Sequence, residues 1–278
     1  MPQQIAQLDQ KAPIVMGIIN TTPDSFSDGG QCFDLEHAVA HARRLIDEGA
    51  DILDIGGEST RPGAAAVSKQ EEVSRTVPLI ERIRQFSDIP LSIDTSKPSV
   101  MQAAADAGVS MINDVRALRE DGALLSAAKT GLPVCLMHMQ GEPRTMQDEP
   151  EYSNVLFDVK RFLHQRIDAA LAAGIEPHNI IVDPGFGFGK TLEHNLQLLN
   201  ALPDLRELGF PLLVGLSRKS MIGAITGQPV DKRLYGSLAA AVISAMLGAD
   251  IVRVHDVDAT RRALAMVKAL KTMPETME

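Results

Sequence analysis

One repeated alternation constrains this chain more than any other feature: eight short apolar runs, each followed by a turn-rich patch and then a helical pattern. The runs are PIVMGIIN from Pro13, ADILDIG from Ala50, IPLSID from Ile89, VSMIND from Val109, LPVCLMH from Leu132, NIIVDP from Asn179, FPLLVGLS from Phe210 and DIVRVH from Asp250. Each is apolar without clean alternation, as expected of parallel strands covered on both faces. Leu35, Ala38, Val39, Ala42, Leu45 and Ile46 follow helical spacing, and Gly49 fits a stop. Ser68 with Glu71 predicts a capping box ahead of Val73, Val77, Ile80 and Ile83, and Pro78 predicts a kink or break in that helix. Pro98 starts a further helix that Gly108 closes, Val155 to Ile167 mark another, and Leu238 to Leu247 lie on another. Eight units in 278 residues is about 35 per unit, which fits an α/β single-domain (β/α)8 TIM barrel. A doubly wound sheet would alternate similarly, and the count of eight favours the barrel. The barrel is assigned residues 13–273, between an N-terminal tail, 1–12, and a C-terminal tail, 274–278.

Composition narrows the function classes. Lysine and arginine number 27 against 36 acidic residues, a net charge of −9 that disfavours general affinity for nucleic acid or an anionic membrane. Two cysteines, Cys32 and Cys135, are too few for a disulfide scaffold and fit a reducing compartment. The first residues carry no basic and apolar signal pattern, and Leu238–Leu247 is far short of the roughly 20 residues of a membrane span. A cytoplasmic, soluble protein is expected.

Polar residues gather at one end of every strand. Asn20, Asp54, Asp94, Asn113, His138 and Asp183 fall late in or at the ends of the first six runs. Ser217–Ser220 follow the seventh, and Arg253 with His255 close the eighth. In a barrel those ends converge on the rim where active sites are built, at the C-terminal ends of the strands. Asp and Asn also end strands simply as turn formers, a reading that holds for any single position but not readily for the whole ring. Asp94, Asn113 and Asp183 offer acceptors to a planar, donor-rich ligand. Lys219, Arg253 and His255, with Asn20 and Arg61 on nearby loops, read as an anion pocket. Ser220 opens a short helix, SMIGAI, whose free amides offer a second anion site.

The segments MGIINTTPDSFSDGG from Met16, DILDIGGESTRPGA from Asp51, LSIDT from Leu91, INDV from Ile112, DPGFGFGK from Asp183, GLSRKS from Gly215 and RVHDV from Arg253 together resemble bacterial dihydropteroate synthases. The resemblance runs in order through seven sites and nearly the whole chain. It implies a homodimeric transferase of folate synthesis, inhibited by sulfonamides, that joins 6-hydroxymethyl-7,8-dihydropterin diphosphate to 4-aminobenzoate with Mg2+. By the same resemblance Asp94, Asn113, Asp183, Gly215 and Lys219 would hold the pterin, bordered by Met139. Asn20, Arg253 and His255 would hold the diphosphate, with Asp28 and Asn20 as metal ligands. Phe26, Thr60, Arg61, Pro62, Gly187, Phe188 and Ser220 would shape the aminobenzoate site. Asp28, Asp94, Lys219 and Arg253 would carry catalysis.

The chemistry those residues suit is electrostatic. Diphosphate leaves once cations neutralise it, an electron-rich dihydropterin tolerates positive charge on its exocyclic carbon, and a neutral arylamine needs no base relay. An ionisation-first, SN1-like displacement is therefore expected, without a covalent intermediate. Two alternatives stay open: a pterin-dependent methyltransferase of the same superfamily, and a non-catalytic pterin-binding homologue. The stretch PGFGFGKT approaches a phosphate-binding loop but has Pro184 where that motif needs glycine. His37 and His41, one helical turn apart, lack a metal-site pattern and are expected on a solvated face. Asp54 is expected to organise the loop after the second strand or to touch ligand, and His138 to be structural.

Overall fold

The computed structural model describes residues 12–21, 35–59, 63, 64, 66–142 and 145–273. Its strands are β1 (Ile14–Asn20), β2 (Ile52–Gly56), β3 (Leu91–Asp94), β4 (Met111–Asp114), β5 (Val134–Met137), β6 (Ile180–Asp183), β7 (Leu213–Val214) and β8 (Ile251–Val254). All pairings are parallel in the order β6-β5-β4-β3-β2-β1-β8-β7, and the bridge between Val182 and Leu212 closes β6 onto β7. Among the described residues the helices are α1 (Leu35–Asp47), α2 (Lys69–Arg84), α3 (Pro98–Asp106), α4 (Ala123–Thr130), α5 (Val155–Ala172), α6 (Leu192–Asn200), α7 (Leu202–Arg206), α8 (Ser220–Thr226), α9 (Leu234–Met246) and α10 (Val257–Thr272). The (β/α)8 barrel expected from the repeat is the fold. No described helix is long and apolar enough to cross a membrane.

Side-chain parity along the strands divides the core in two. Ile14, Met16, Ile52, Met111, Cys135, Ile181, Leu213 and Ile251 form one buried cluster. Their strand neighbours, among them Val15, Leu53, Leu91, Ile112, Val134, Ile180 and Val252, pack in the larger cluster with the helices. Successive residues point to opposite faces, so the first set plugs the barrel and the second packs outward. Cys135 is a buried member of the plug, and burial pushes its thiol well above the ordinary value. That fits an inert, space-filling thiol.

Three local expectations need adjustment. Pro78 does not break α2, which runs on through it from Lys69 to Arg84. The lost backbone bond is outweighed by burial of Thr76, Leu79, Ile80 and Ile83 against the barrel. Ser68 caps that helix by accepting from Glu71 N at 3.2 Å, but Glu71 spends its carboxylate on Arg75 rather than closing a reciprocal box. The seventh run forms only two strand residues, Leu213 and Val214.

Candidate active site at the barrel mouth

The polar ring follows from the same parity. Asp54, Asn113, Asp183 and Arg253 each lie two residues beyond a plug residue: Ile52, Met111, Ile181 and Ile251 respectively. They therefore face inward, one layer above the plug. Asp114 and His138 fall on the opposite parity. Asp114 accepts from Ser96 Oγ and from the backbone N–H groups of Arg116 and Leu118, both at 2.8 Å, and so shapes the loop after β4. His138 packs edge-on to the Phe162 ring, with centroids 4.9 Å apart.

Arg253 organises the inward layer. Its Nε donates to Asp54 Oδ2 at 2.6 Å and its Nη2 to Asp94 Oδ2 at 2.9 Å. Asn113 Nδ2 donates to the same Asp54 oxygen at 3.2 Å, which leaves the Asn113 carbonyl as an acceptor. Asp54 thus reaches across the barrel mouth to Arg253 and Asn113, rather than bracing the loop after β2. That loop is braced instead by Glu58, which pairs with Lys97 and accepts from Val67 N at 3.1 Å. Lys97 also pairs with the buried carboxylate of Glu72. Nothing in the motifs singled out Glu58, Glu72 or Lys97, because their relation appears only when α2 and the start of α3 are brought beside β2.

Burial raises the pKa of Asp94, with Asp54 adding to the rise and Arg253 opposing it. Burial likewise raises Asp183, opposed chiefly by Lys219 and by the Gly185 N–H that donates to its Oδ1 at 2.7 Å. Burial disfavours the charge on Arg253, but Asp54 and Asp94 together outweigh it and hold the guanidinium above its ordinary value. The Lys219 amine is lowered to about 8 by burial, against the attraction of Asp183. It also donates to Phe186 O and sits 4.6 Å above the Phe188 ring. Met139 packs with Val115, Met137 and Met146, and Phe188 lies against that cluster. An apolar wall therefore runs beside the charged floor.

The anion half has its own opening. A cavity of about 400 Å3 is lined by Ile18, Asn20, His41, Arg44, Glu48, Arg218, His255 and Asp256. Asn20 and His255 line it but none of the inward carboxylates does, and its charges are paired, Arg44 with Glu48 and Arg218 with Asp256. A Cβ at Gly56 would stand 3.6 Å from Asp94 Cβ and 3.9 Å from Asn20 Oδ1, which places Gly56 at their junction. Ser217 Oγ accepts from His255 N at 3.2 Å and lies 3.0 Å from His255 Nδ1, fixing that ring. Arg218 adopts a left-handed φ of 58° and holds Asp256 through Nε and Nη2. Arg218, Asp256 and Arg44 were not foreseen as site residues, since their place depends on how the loops after β7 and β8 meet α1.

Other expectations resolve as follows. Phe26, Asp28, Thr60, Arg61, Pro62 and Cys32 lie outside the described residues. His41 departs from a fully solvated face: its Nε2 is 3.3 Å from Ile18 O and burial lowers its pKa, whereas His37 is exposed. No group of three or more His, Cys, Asp or Glu side chains able to hold a metal occurs among the described residues. Ser220 is exposed at the start of the seven-residue α8. Gly187 approaches Lys219, whose Cδ would be 3.2 Å from an added Cβ. Gly215 faces Arg253, with 3.8 Å between an added Cβ and Arg253 Cβ. Lys190 turns back into its own loop and donates to Gly185 O and Phe188 O, unlike a phosphate-binding-loop lysine.

The central pairing has a measurable energetic signature. Asp54→Ala strands Arg253 beside a single carboxylate and is expected to destabilise the fold by about 3 kcal/mol, with Asp54→Asn intermediate. Urea unfolding checks this, and a loss under about 1 kcal/mol for the alanine variant would mean the pair is not structural.

Comparison with known proteins agrees with this geometry. The family model described as pterin binding enzyme matches residues 16–255. The dihydropteroate synthase of Haemophilus influenzae is 53% identical over 262 residues, covering 94% of this chain and 95% of that protein. The Yersinia pestis dihydropteroate synthase in complex with a sulfonamide drug superposes with a TM-score of 0.92 at 54% identity, over 96% of this chain and 97% of that one. A Xanthomonas albilineans dihydropteroate synthase bound to 7,8-dihydropteroate gives 0.87 at 50% identity, over 96% and 97%. With acceptors and cations set at the mouth of one barrel, and the match spanning that barrel from β1 to the end of β8, the chain belongs to the pterin-binding enzyme family.

Proposed function

We propose that this protein is a dihydropteroate synthase, forming 7,8-dihydropteroate and diphosphate from 6-hydroxymethyl-7,8-dihydropterin diphosphate and 4-aminobenzoate. The observation that carries the reading is the inward layer in which Asp94, Asn113 and Asp183 stand with Arg253 and Lys219, beside a cavity that holds Asn20 and His255. Asp94, Asn113 and Asp183 face the donor edge of the pterin, with Lys219 on its flank. Arg253, His255 and Asn20 receive the diphosphate. Phe188, Gly187 and Ser220, with Phe26, Thr60, Arg61 and Pro62 from the two preceding loops, frame the arylamine, and Met139 borders the pterin.

The charge balance suits an ionisation-first displacement. Asp54, Asp94 and Asp183 surround the ring with three acidic groups against the two cations Arg253 and Lys219. Burial raises Asp94 to about 8 and raises Asp183 as well, and a ring that turns positive would favour their ionised forms. Arg253 stands between the carboxylates and the diphosphate and stabilises charge on the leaving oxygen. Phe188 and Met139 exclude water from the side the amine approaches, which protects a reactive carbon from hydrolysis. The arylamine attacks as a neutral nucleophile, and its proton passes to solvent or the departing diphosphate. A methyltransferase of the same superfamily would have no use for the Asn20–His255 compartment, and a non-catalytic homologue would have no use for a cation floor aligned with it.

Mg2+ fits the residues available. It keeps several waters and takes few protein oxygens when phosphate is present, so the neutral amide oxygen of Asn20 at the cavity is a suitable ligand, with Asp28 as the second. When bound it would neutralise the leaving diphosphate. The reading also includes a cytoplasmic homodimer. Its support is an apolar stripe on neighbouring helices, with Ile243 and Met246 exposed on α9 and Met266, Leu270 and Met273 exposed on or just after α10.

The direct experiment mixes purified protein with dihydropterin diphosphate, Mg2+ and 4-aminobenzoate; amine-dependent dihydropteroate is expected, and tight pterin binding without it would favour the alternatives. Asp183→Ala should lose about 1.5–3 kcal/mol of pterin affinity, roughly 10–150-fold by calorimetry, and unchanged binding would contradict the pocket. Lys219 is protonated below about 8 and loses its charge above it. Affinity for the pterin diphosphate should therefore weaken by about tenfold between pH 7 and pH 9, a fall that Lys219→Arg reduces, the remainder belonging to Asp94, which burial raises to about 8. An identical fall in that variant would assign the effect elsewhere. Light scattering at micromolar concentration should give twice the monomer mass, reduced by Met266→Glu with Leu270→Glu; a parent monomer would overturn the dimer.

A further inference from the structure

The loop after β6 carries a buried amine that the proposed reaction does not use. Lys190 is only 3% exposed, and its amine meets three acceptors: His138 Nδ1 at 2.9 Å, Gly185 O at 2.9 Å and Phe188 O at 3.0 Å. Three N–H donors thus have three partners, none of them a carboxylate. A solvated lysine on a loop would gain nothing from this burial, so the arrangement is maintained against a large desolvation cost. Burial accordingly drives the Lys190 amine well below its ordinary value, opposed by Asp183.

His138 is built to be the third acceptor. For Nδ1 to accept, the ring must be neutral with its proton on Nε2. Burial, with Lys190 and Arg119 nearby, lowers its pKa to about 2, so it stays neutral throughout the working range. Phe162 and Tyr152 pack against the ring, and the His138 backbone N–H donates to Asp183 O at 2.9 Å. The loop is locked to this residue sterically as well. Gly185 has φ 68°, and a Cβ there would stand 1.8 Å from His138 O.

What the amine fixes is the backbone that presents Phe188. Lys190 grips Gly185 O and Phe188 O, and Phe188 N donates to Gly185 O at 3.1 Å, closing a turn across the loop. The rest of the loop is tied by other groups: Gly187 N donates to Asn195 Oδ1 at 2.7 Å, and Tyr152 Oη to Gly189 O at 2.8 Å. Phe186 O receives Lys219. Gln147 Nε2 donates to Gly187 O, and among these side-chain ties Lys190 is the one that joins the start of the turn to Phe188, reinforcing the backbone bond between them.

We infer that Lys190, with His138 as its acceptor, is a positioning residue that holds Phe188 at the arylamine side of the site. The inference rests on the functional reading above for the identity of the second substrate. Its consequence is selective. Asp183, Asn113 and Arg253 take no hydrogen bond from Lys190. Asp183 feels the amine only through its charge and through Gly185, whose backbone the strand end and the His138 carbonyl also hold, so the pterin side keeps most of its geometry when the His138 acceptor is removed. The arylamine wall does not.

The test uses the full chain in three forms. Lys190→Met removes the amine and keeps the stem. His138→Leu removes the acceptor, and His138→Asn restores one, since its Oδ1 occupies the place of the imidazole Nδ1. In Lys190→Met and His138→Leu, hydrogen exchange at the Gly187 and Phe188 amides should speed by about tenfold or more, with β1 and β2 unchanged. KM for 4-aminobenzoate should rise by about tenfold while the Kd for dihydropterin diphosphate stays within roughly threefold, and His138→Asn should lie near the parent in both. The inference is overturned by unchanged loop exchange, by parallel losses in pterin and arylamine affinity, or by a His138→Asn variant as impaired as His138→Leu. If Lys190→Met fails to fold, the two His138 variants decide. A parent chain that makes no dihydropteroate defeats the functional reading, and loop exchange then decides the positioning role by itself.

Discussion

Everything at this barrel mouth depends on one guanidinium held between two carboxylates. Asp54 has no exposed surface, and without a cation its charge would be too costly to keep there. Arg253 supplies that cation, and the same contact turns the guanidinium toward Asp94. Asp54 also accepts one amide hydrogen of Asn113, which leaves the Asn113 carbonyl available to a ligand. One buried aspartate that need never touch substrate thereby orients three groups suited to doing so. In the proposed reaction the remaining acidic groups would face a pterin that turns cationic as diphosphate leaves.

The scaffold makes this arrangement possible through strand parity. A layer of Ile, Met, Cys and Leu closes the barrel, and the next inward position on several strands carries the polar group. Backbone hydrogen bonding fixes the Cα positions of both layers together, so the charged floor is built on the same strands as the plug beneath it. The loops add what differs between the two halves. The loop after β6 sets an aromatic wall over Lys219, and the loops after β7 and β8 fix His255 through Ser217 and Arg218 through Asp256. Division of labour between a stiff floor and dedicated loops suits a reaction whose first substrate must ionise and whose second must arrive on one side.

Much of this was legible in the chain. Eight apolar runs with helices between them pointed to the barrel, and polar residues at the ends of those runs pointed to the rim. Parity was the signal left unread: the runs looked uniformly apolar because both faces are buried. Counting by twos from Met111 and Cys135 separates Asn113, facing in, from Asp114 and His138, facing out. The continuity of α2 through Pro78 was not legible, since it depends on how much of that helix the barrel covers. Nor were Lys97 with Glu58, or Lys190 with His138. Those partners stand 39 and 52 residues apart, and only the closed sheet brings them together.

The central claim is that this charge arrangement lets diphosphate depart before the amine attacks. Positional isotope exchange tests it most directly, using dihydropterin diphosphate labelled with heavy oxygen at the bridge to the exocyclic carbon. The account predicts that enzyme and Mg2+, without 4-aminobenzoate, move the label from the bridge into non-bridging positions as the ionised pair recombines. The same exchange should be lost in Asp94→Asn. A label that stays in the bridge, in enzyme that forms dihydropteroate normally once the amine is added, would contradict the account and place bond breaking and amine attack in one step.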